Sequence, residues 1–186
     1  VTLGLQEIIT YRISSPQQEQ LLQTLDDGPY VHLANPITPE RSTMRRSLLS
    51  SVLECAENNS RFQQRISLFE IGPVYLPELA SSEKHTNLPH EAQRLSIVLM
   101  GKRLSLSWTS KLSDSMDYFD LKGVIDELLQ ASHISDYTIT PGEHPSFQPG
   151  ATATLTIHGL QAGAFGVLHR DVASNYNFGE YPTLAA

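Results

Sequence analysis

The fold of this chain is decided by two neighbouring stretches of sequence, the first of which reads NPITPERSTMRRSLL at residues 35–49. Its two prolines favour extended backbone, so we expect the chain to turn there. Apolar residues then recur at three- and four-residue steps, which predicts a helix over residues 44–62 with Ser42 or Thr43 as its cap. The apolar positions of this helix are Met44, Leu48, Leu49, Val52, Leu53 and Ala56.

The second stretch reads LFEIGPVY at residues 68–75. It predicts a strand over residues 66–75, interrupted at Gly72-Pro73 by an open edge or a bulge, because proline lacks an amide hydrogen. Glu70 on this strand is either a paired buried carboxylate or a residue that faces water. The polar residues 77–93 that follow are expected to form a long loop.

Around these stretches, hydrophobic patterning predicts two further helices and several further strands. A short helix is expected from a Ser15 cap to about residue 25, and a longer one over residues 118–131, with a buried face of Phe119, Leu121, Val124, Ile125, Leu128 and Leu129. The predicted strands are residues 5–13, 30–34, 95–100, 137–140, 151–158 and 162–168, the last two joined as a hairpin. Residues 181–186 are expected to form no element. Strands and helices that do not strictly alternate favour an α+β fold with a mainly antiparallel sheet flanked by helices.

Length and composition indicate an ordinary globular chain of 186 residues, which we interpret as a single domain spanning residues 1–186. The formal net charge of −7 argues against binding nucleic acid mainly through its phosphates, so any RNA contact should be local. One cysteine, Cys55, and the lack of a long apolar run favour the cytoplasm and no membrane contact. Both ends look cut, so we expect a piece of a longer polypeptide.

The two stretches, taken with four others, resemble the beta subunit of phenylalanine–tRNA ligase. The other segments are EIITY at 7–11, DYFDLKG at 117–123, PGATA at 149–153 and GAFGVLH at 163–169. The family usually has His where this chain has Gln148, and Pro where it has Arg170. The resemblance covers nearly the whole chain and implies a fold like the catalytic domain of class II synthetases.

The same resemblance implies that this domain is not catalytic. In class II synthetases a strand of this type leads to an arginine that grips the α-phosphate of ATP, and Leu76 stands at that position here, with Glu78 on the family's glutamate. Leucine cannot supply the planar charged fork that binds phosphate. We therefore expect no catalytic, cofactor or metal residues in this domain, while ATP and magnesium would act elsewhere in the complete enzyme.

The resemblance also implies a role in assembly. The partner would be the catalytic alpha subunit in an (αβ)2 heterotetramer that charges tRNA(Phe) with phenylalanine. The expected interface lies on the helix predicted over residues 44–62, which occupies the place of the first class II motif, through Met44, Arg45, Leu48, Leu49, Val52 and Leu53. An alternative is a free-standing synthetase-like domain that binds an amino acid or a nucleotide.

Other chemistry finds little support in the sequence. The seven histidines show no metal-binding spacing, and Cys55 has no partner cysteine. His169 is interpreted as a helix cap, with a site residue as the alternative. Arg41, Arg45 and Arg46 form a compact basic group that would either meet an acidic partner or an RNA phosphate, or lie solvated at the start of a helix.

Overall fold

A computed structural model describes residues 3–23, 28–79, 88–104, 114–178 and 181–186. The strands are β1 Gln6–Glu7, β2 Ile13–Ser14, β3 Thr43–Met44, β4 Arg65–Leu76, β5 His90–Gly101, β6 Tyr137–Pro141, β7 Phe147–Ile157, β8 Leu160–Leu168 and β9 Thr183–Ala185. The helices are α1 Pro16–Gln20, α2 Leu49–Ser60, α3 Tyr118–Ala131 and α4 Arg170–Ala173, with short 3₁₀ turns at Pro39–Arg41 and Pro77–Leu79.

Seven of these strands form one sheet in the order β1-β4-β5-β9-β8-β7-β6. Among the described strands, only the β1–β4 pair is parallel, and β2 pairs with β3 in a separate two-stranded sheet. The longest ladder joins β4 to β5 over all twelve residues of each strand. This confirms the predicted α+β fold with a mainly antiparallel sheet.

The sheet buries both of its faces, because successive side chains of a strand point to opposite sides. On one face, Val98 and Met100 of β5 pack with Val52 and Leu53 of α2. On the other face, Ile97 and Leu99 of β5 pack with α3, whose buried residues are Leu121, Ile125 and Leu129. β5 is the third strand of the seven and its second half is buried, which agrees with the central strand predicted at residues 95–100.

The helix predicted over residues 44–62 begins later than expected. Met44 belongs to β3 and pairs with Ile13, while the amide of Arg45 donates to Arg12 and its carbonyl accepts from Tyr75. Backbone groups committed to neighbouring segments cannot form helical hydrogen bonds, so α2 starts at Leu49. Neither predicted cap residue is used.

Two predicted strands are shorter than expected. Residues 5–13 contribute only β1 and the first residue of β2, because β4 pairs with this segment in parallel at Gln6 and Glu7 alone. Residues 30–34 make a single bridge, between His32 and Thr43. Both segments have the periodicity of a strand. A strand forms only where another segment pairs with it, and that pairing is not visible in the local pattern.

One strand was not expected at all. Residues 183–185, within a segment predicted to form no element, are the buried strand β9, inserted between β5 and β8. The Gly72-Pro73 step, in contrast, does not interrupt β4, whose pairing with β5 runs through it. The carbonyl of Pro73 accepts a hydrogen bond from Arg45, on the side of β4 away from β5, so the missing amide hydrogen costs no ladder bond.

Several local predictions are confirmed. Helix α3 has the predicted bounds, and β7 and β8 form the predicted hairpin. Ser15 caps α1 by accepting from the amide of Gln18, although this helix ends at Gln20 and residue 25 lies outside the described ranges.

Two local predictions are wrong. Phe119 is 74% exposed, so it does not belong to the buried face of α3. The loop predicted at residues 77–93 contains the turn Pro77–Leu79 and the start of β5, while residues 80–87 lie outside the description.

Among the helices of the described part, none is both long and apolar enough to cross a membrane.

Candidate functional site

Arg45 and Glu70 form an ion pair inside the protein. Arg45 Nη1 lies 2.7 Å from Glu70 Oε1, and the two side chains are 1% and 2% exposed. Arg45 also donates from Nε to the carbonyl of Pro73 (3.0 Å) and from Nη1 to Thr10 Oγ1 (2.9 Å), and this hydroxyl donates to Glu70 Oε2 (2.7 Å). Gly72 leaves room for the guanidinium, since a Cβ there would overlap Arg45 Nη2. The paired alternative for Glu70 is therefore confirmed.

Arg46 forms a second cluster beside the first. Its Nη1 and Nη2 donate to the two carboxylate oxygens of Glu78 (2.9 and 2.7 Å), a bidentate arrangement, and Nη1 also donates to the carbonyl of Pro29 (2.7 Å). The amide of Arg46 donates to the buried carboxylate of Glu19 (2.8 Å). A Cβ on Gly28 would overlap this guanidinium as well. Arg46 thus ties the end of β4 to the segments before β3.

The predicted basic group is therefore not a cationic surface. Arg45 and Arg46 are 1% and 6% exposed and their charges are balanced by carboxylates, while the Arg41 guanidinium lies 4.2 Å from the ring centroid of Tyr11. Because α2 starts at Leu49, the arginines precede the helix rather than lying solvated in its first turn. Neither prediction for this group, contact with an acidic partner or an RNA phosphate or a solvated helix start, fits Arg45 and Arg46, which are buried and paired with carboxylates of this chain.

The Glu78–Arg46 pair should make stability sensitive to acid. Hydrogen bonds from the Arg46 side chain lower the pKa of Glu78 from its usual 4.5 to about 2. A carboxylate whose pKa is lower in the folded than in the unfolded chain stabilises the fold above pH 4.5, and that contribution is lost as the pH falls towards 2. We expect Glu78→Gln to flatten the decline in the free energy of unfolding between pH 4.5 and 2.

Urea denaturation followed by circular dichroism across this pH range measures that decline. Glu91→Gln, an exposed substitution on β5, is the matched control and should leave the slope unchanged. Equal slopes for wild type and Glu78→Gln would show that the pair does not hold the pKa of Glu78 down.

The strand end that would carry a phosphate-binding arginine is closed in this protein. Leu76 is 8% exposed and pairs with His90 at the end of the β4–β5 ladder, and Tyr75 beside it is 5% exposed. Glu78, two residues on, is already bound by Arg46. Around Leu76, a phosphate would therefore meet an apolar side chain and an arginine whose charge is already balanced by Glu78.

An open cavity of about 250 Å³ lies next to Arg46, between the start of α2 and the strands β5 and β8. Arg94, Ser96, His144 and Phe147 also line it. Arg94 is exposed and forms no ion pair with the described residues, whereas burial lowers the pKa of His144 and favours its neutral form. The volume is below the roughly 300–1,000 Å³ of usual small-molecule sites.

Across the described ranges, no three His, Cys, Asp or Glu side chains come together as a metal site.

The residues predicted to face a partner pack mostly within this chain. Met44 is half-buried, and the others are Arg45 at 1%, Leu48 at 3%, Leu49 at 9%, and Val52 and Leu53 at 0% exposure. Apart from Met44, these side chains present little surface to another chain. His169, in contrast, caps α4 by accepting from the amide of Asp171, as interpreted from the sequence.

An exposed apolar edge, which no pattern in the sequence predicted, lies beside β1. Ile9 is 90% exposed, Tyr11 is 69% exposed, and Ile71 of β4 is 61% exposed. The amide of Ile8 bonds to Phe69 and Thr10 bonds to Glu70, so this segment runs along β4. The alternating pattern of residues 5–13 predicted a half-buried strand. In the structure β1 is short and lies at the edge of the sheet, so no strand of the described ranges covers its outer side.

Comparisons with known proteins agree on one family. The family model for the phenylalanyl tRNA synthetase beta chain CLM domain matches residues 1–186. The chain is 32% identical over 184 residues to a phenylalanine–tRNA ligase beta subunit from Syntrophotalea carbinolica, and 32% identical over 177 residues to one from Symbiobacterium thermophilum. These matches cover 95% and 93% of this chain but 22% and 19% of the relatives, so the chain spans about a fifth of their length.

A comparison of structures supports the fold alone. A pyrrolysyl-tRNA synthetase from Desulfitobacterium hafniense aligns with a TM-score of 0.69 and 14% sequence identity, over 99% of this chain and 58% of that one. A second crystal structure of the same synthetase gives the same TM-score at 15% identity. The fold is therefore that of a class II synthetase core.

Proposed function

The chain belongs to the phenylalanyl-tRNA synthetase beta chain family, and from this premise we propose that it is a non-catalytic, synthetase-like core domain that supports assembly of phenylalanine–tRNA ligase. The observation that carries the proposal is the pair of neutralised arginine clusters. Arg45 forms an ion pair with Glu70, and Arg46 forms one with Glu78. Both pairs lie in the region where a synthetase of this fold would bind the phosphates of ATP.

Adenylyl transfer depends on positioning and neutralising the phosphates of ATP, and a bidentate arginine is the group best suited to this. If Arg46 bound a phosphate instead, the carboxylate of Glu78 would lose its partner. If Arg45 did so, the buried charge of Glu70 would be left unpaired, which is costly. The arginines therefore support the fold rather than bind a nucleotide.

The complete enzyme would supply what this domain does not. We propose that residues 1–186 form a single domain of a cytoplasmic beta subunit whose partner is the catalytic alpha subunit in an (αβ)2 heterotetramer. That assembly would join phenylalanine to tRNA(Phe), with ATP and magnesium bound outside this domain. The similarity to phenylalanine–tRNA ligase beta subunits supports this reaction class.

The partner surface is proposed to be the open edge beside β1. Ile9, Tyr11 and Ile71 expose apolar area along it, and exposed apolar patches are typical of contact sites between proteins. Arg45 of the predicted interface set would act from inside, because its cluster with Glu70 binds Thr10 and so holds the edge against β4. The core residues Leu48, Leu49, Val52 and Leu53, with Met44, would keep the surrounding structure rigid.

Multi-angle light scattering of this chain mixed with the alpha subunit tests the surface. We expect a mixed complex that Ile9→Asp or Ile71→Asp weakens at least tenfold, because a charge would be buried in the contact. Phe119→Asp, at an equally exposed apolar position on α3, is the matched control and should bind like wild type. A complex that all three variants form equally well would exclude this edge.

A second candidate is the binding of a small molecule that carries a carboxylate or phosphate group. The cavity next to Arg46 favours it, because Arg94 in its lining forms no ion pair with the described residues. Isothermal titration of the chain with phenylalanine and with magnesium–ATP tests this candidate. The assembly proposal expects no saturable heat at millimolar ligand. Saturable binding that Arg94→Gln abolishes would instead support the free-standing binding domain.

A further inference from the structure

A second cavity, of about 400 Å³, lies at the C-terminal end of α2 and takes no part in the proposed assembly surface. Its lining combines exposed aromatic, cationic and amide groups with a floor from the core, namely Ser60, Arg61, Phe62, Gln63, Gln64, Met100, Asn177, Phe178 and Tyr181. An opening of about 400 Å³ with mixed aromatic and amide character differs from the apolar clefts that bind hydrophobic ligands. The three kinds of group together are those that recognise unpaired nucleotides.

The aromatic group is Phe62. Its side chain is 86% exposed, directly after the end of α2, and the half-buried Tyr181 lines the same cavity. An exposed ring offers a flat apolar face that water solvates poorly. Nucleobases stack on such faces, and this stacking tolerates any base because every base has a π-face.

Arg61 is the cation that lines the cavity, and Arg65 and Lys102 lie at the adjoining ends of β4 and β5. Arg65 begins β4 and pairs with Gly101, and the amide of the next residue, Lys102, donates to the carbonyl of Gln64 (3.3 Å). Gly101 packs so closely on that carbonyl that a Cβ would overlap it, so the two strand ends are held together. None of the three cations forms an ion pair with residues of the described ranges. In a chain of net charge −7 this is a local basic region.

The amide groups provide hydrogen bonding. Asn177 donates from its side chain to Glu57 (2.6 Å) and from its backbone to the same oxygen (3.2 Å), which fixes the orientation of the amide. Its Oδ1 accepts no hydrogen bond from the described residues. Gln63 and Gln64 are exposed at the rim. Amide side chains of this kind bind the edges of bases.

We propose that this cavity, the nucleotide cavity, binds an unpaired RNA nucleotide, with the base stacked on Phe62, its edge at Asn177, and the flanking phosphates at Arg61, Arg65 and Lys102. The proposal does not depend on the assembly role. It also agrees with the acidic composition, because three cations at one end of the sheet give a contact that is local and limited to a few phosphates.

Fluorescence anisotropy with a labelled single-stranded RNA 12-mer tests the stacking. We expect saturable binding to the 186-residue chain, weakened at least fivefold by Phe62→Ala and retained by Phe62→Tyr, which keeps the stacking face. Phe119→Ala, which removes a comparably exposed ring on α3, should leave the affinity unchanged. The same RNA annealed to its complement should bind more weakly, because paired bases cannot enter the cavity.

Salt dependence tests the phosphate contacts. Arg61→Gln or Arg65→Gln should each reduce the slope of log affinity against log salt by about 0.7, the value for one single-strand phosphate contact. Arg12→Gln removes an exposed arginine that lines neither cavity and should leave the slope unchanged. Absence of saturable binding, an equal loss for Phe62→Ala and Phe119→Ala, or equal binding of single strand and duplex would each overturn the proposal.

Discussion

Glu70→Ala is expected to lower the free energy of unfolding by about 3–5 kcal/mol, the usual cost of removing one partner of a buried ion pair. The loss is large because Arg45 stays behind, 1% exposed, with its charge unpaired. The substitution also removes the acceptor for Thr10 and so releases the segment that follows β1. Urea denaturation followed by far-ultraviolet circular dichroism measures the change.

Two controls separate this cost from the loss of side-chain volume. Glu91→Ala removes an exposed carboxylate from the adjacent strand and should change stability by less than about 0.5 kcal/mol. The double variant Arg45→Met with Glu70→Leu removes both charges and should recover most of the stability, because apolar replacements of buried pairs are often neutral. A Glu70→Ala chain within about 1 kcal/mol of wild type would contradict the buried pair.

Val52→Asp is expected to unfold the chain, with a loss of more than about 4 kcal/mol. Val52 is fully buried in the apolar cluster between α2 and the sheet, so a carboxylate there would lose its hydration. The sequence placed this residue at a partner interface, and the structure predicts instead that the variant fails without any partner present.

Asn58→Asp introduces the same charge on the exposed side of α2 and is the matched control. It should keep the chain folded and cost less than about 1 kcal/mol. Thermal denaturation by circular dichroism distinguishes the two variants. A cooperative transition for Val52→Asp close to that of wild type would show that α2 does not pack as described.

The sequence predicts well where local pattern decides the structure. Helix α3 has an aspartate cap and an uninterrupted apolar period, and its bounds are as predicted. The β7–β8 hairpin is likewise fixed by a local turn, in which Gly159 adopts a positive φ of 75°. Central strand β5 is recognisable because it is apolar on both faces.

Prediction fails where a distant segment decides. The apolar period of α2 extends back to Met44. However, Met44 pairs with Ile13 and Arg45 bonds to Tyr75, so the helix begins only at Leu49. Strand β9 is three residues long and is a strand only because β5 and β8 lie on both sides of it. No local signal marks such insertions.

The same reason explains the candidate site. The pairing of Glu70 was one of two alternatives from the sequence, but its partner Arg45 was assigned to a surface. Glu78 and Arg46 are 32 positions apart in sequence, and their contact depends on how β4 ends. Charge pairing across such separations follows from the fold and not from spacing.

The most direct test of the assembly role is deletion of this domain from the beta subunit in which we propose it lies. The subunit lacking the residues that correspond to 1–186 would be coexpressed with the alpha subunit, and the mass of the purified complex measured by light scattering. The account predicts loss of the stable mixed complex and of tRNA charging. Undiminished assembly and undiminished charging after the deletion would contradict it.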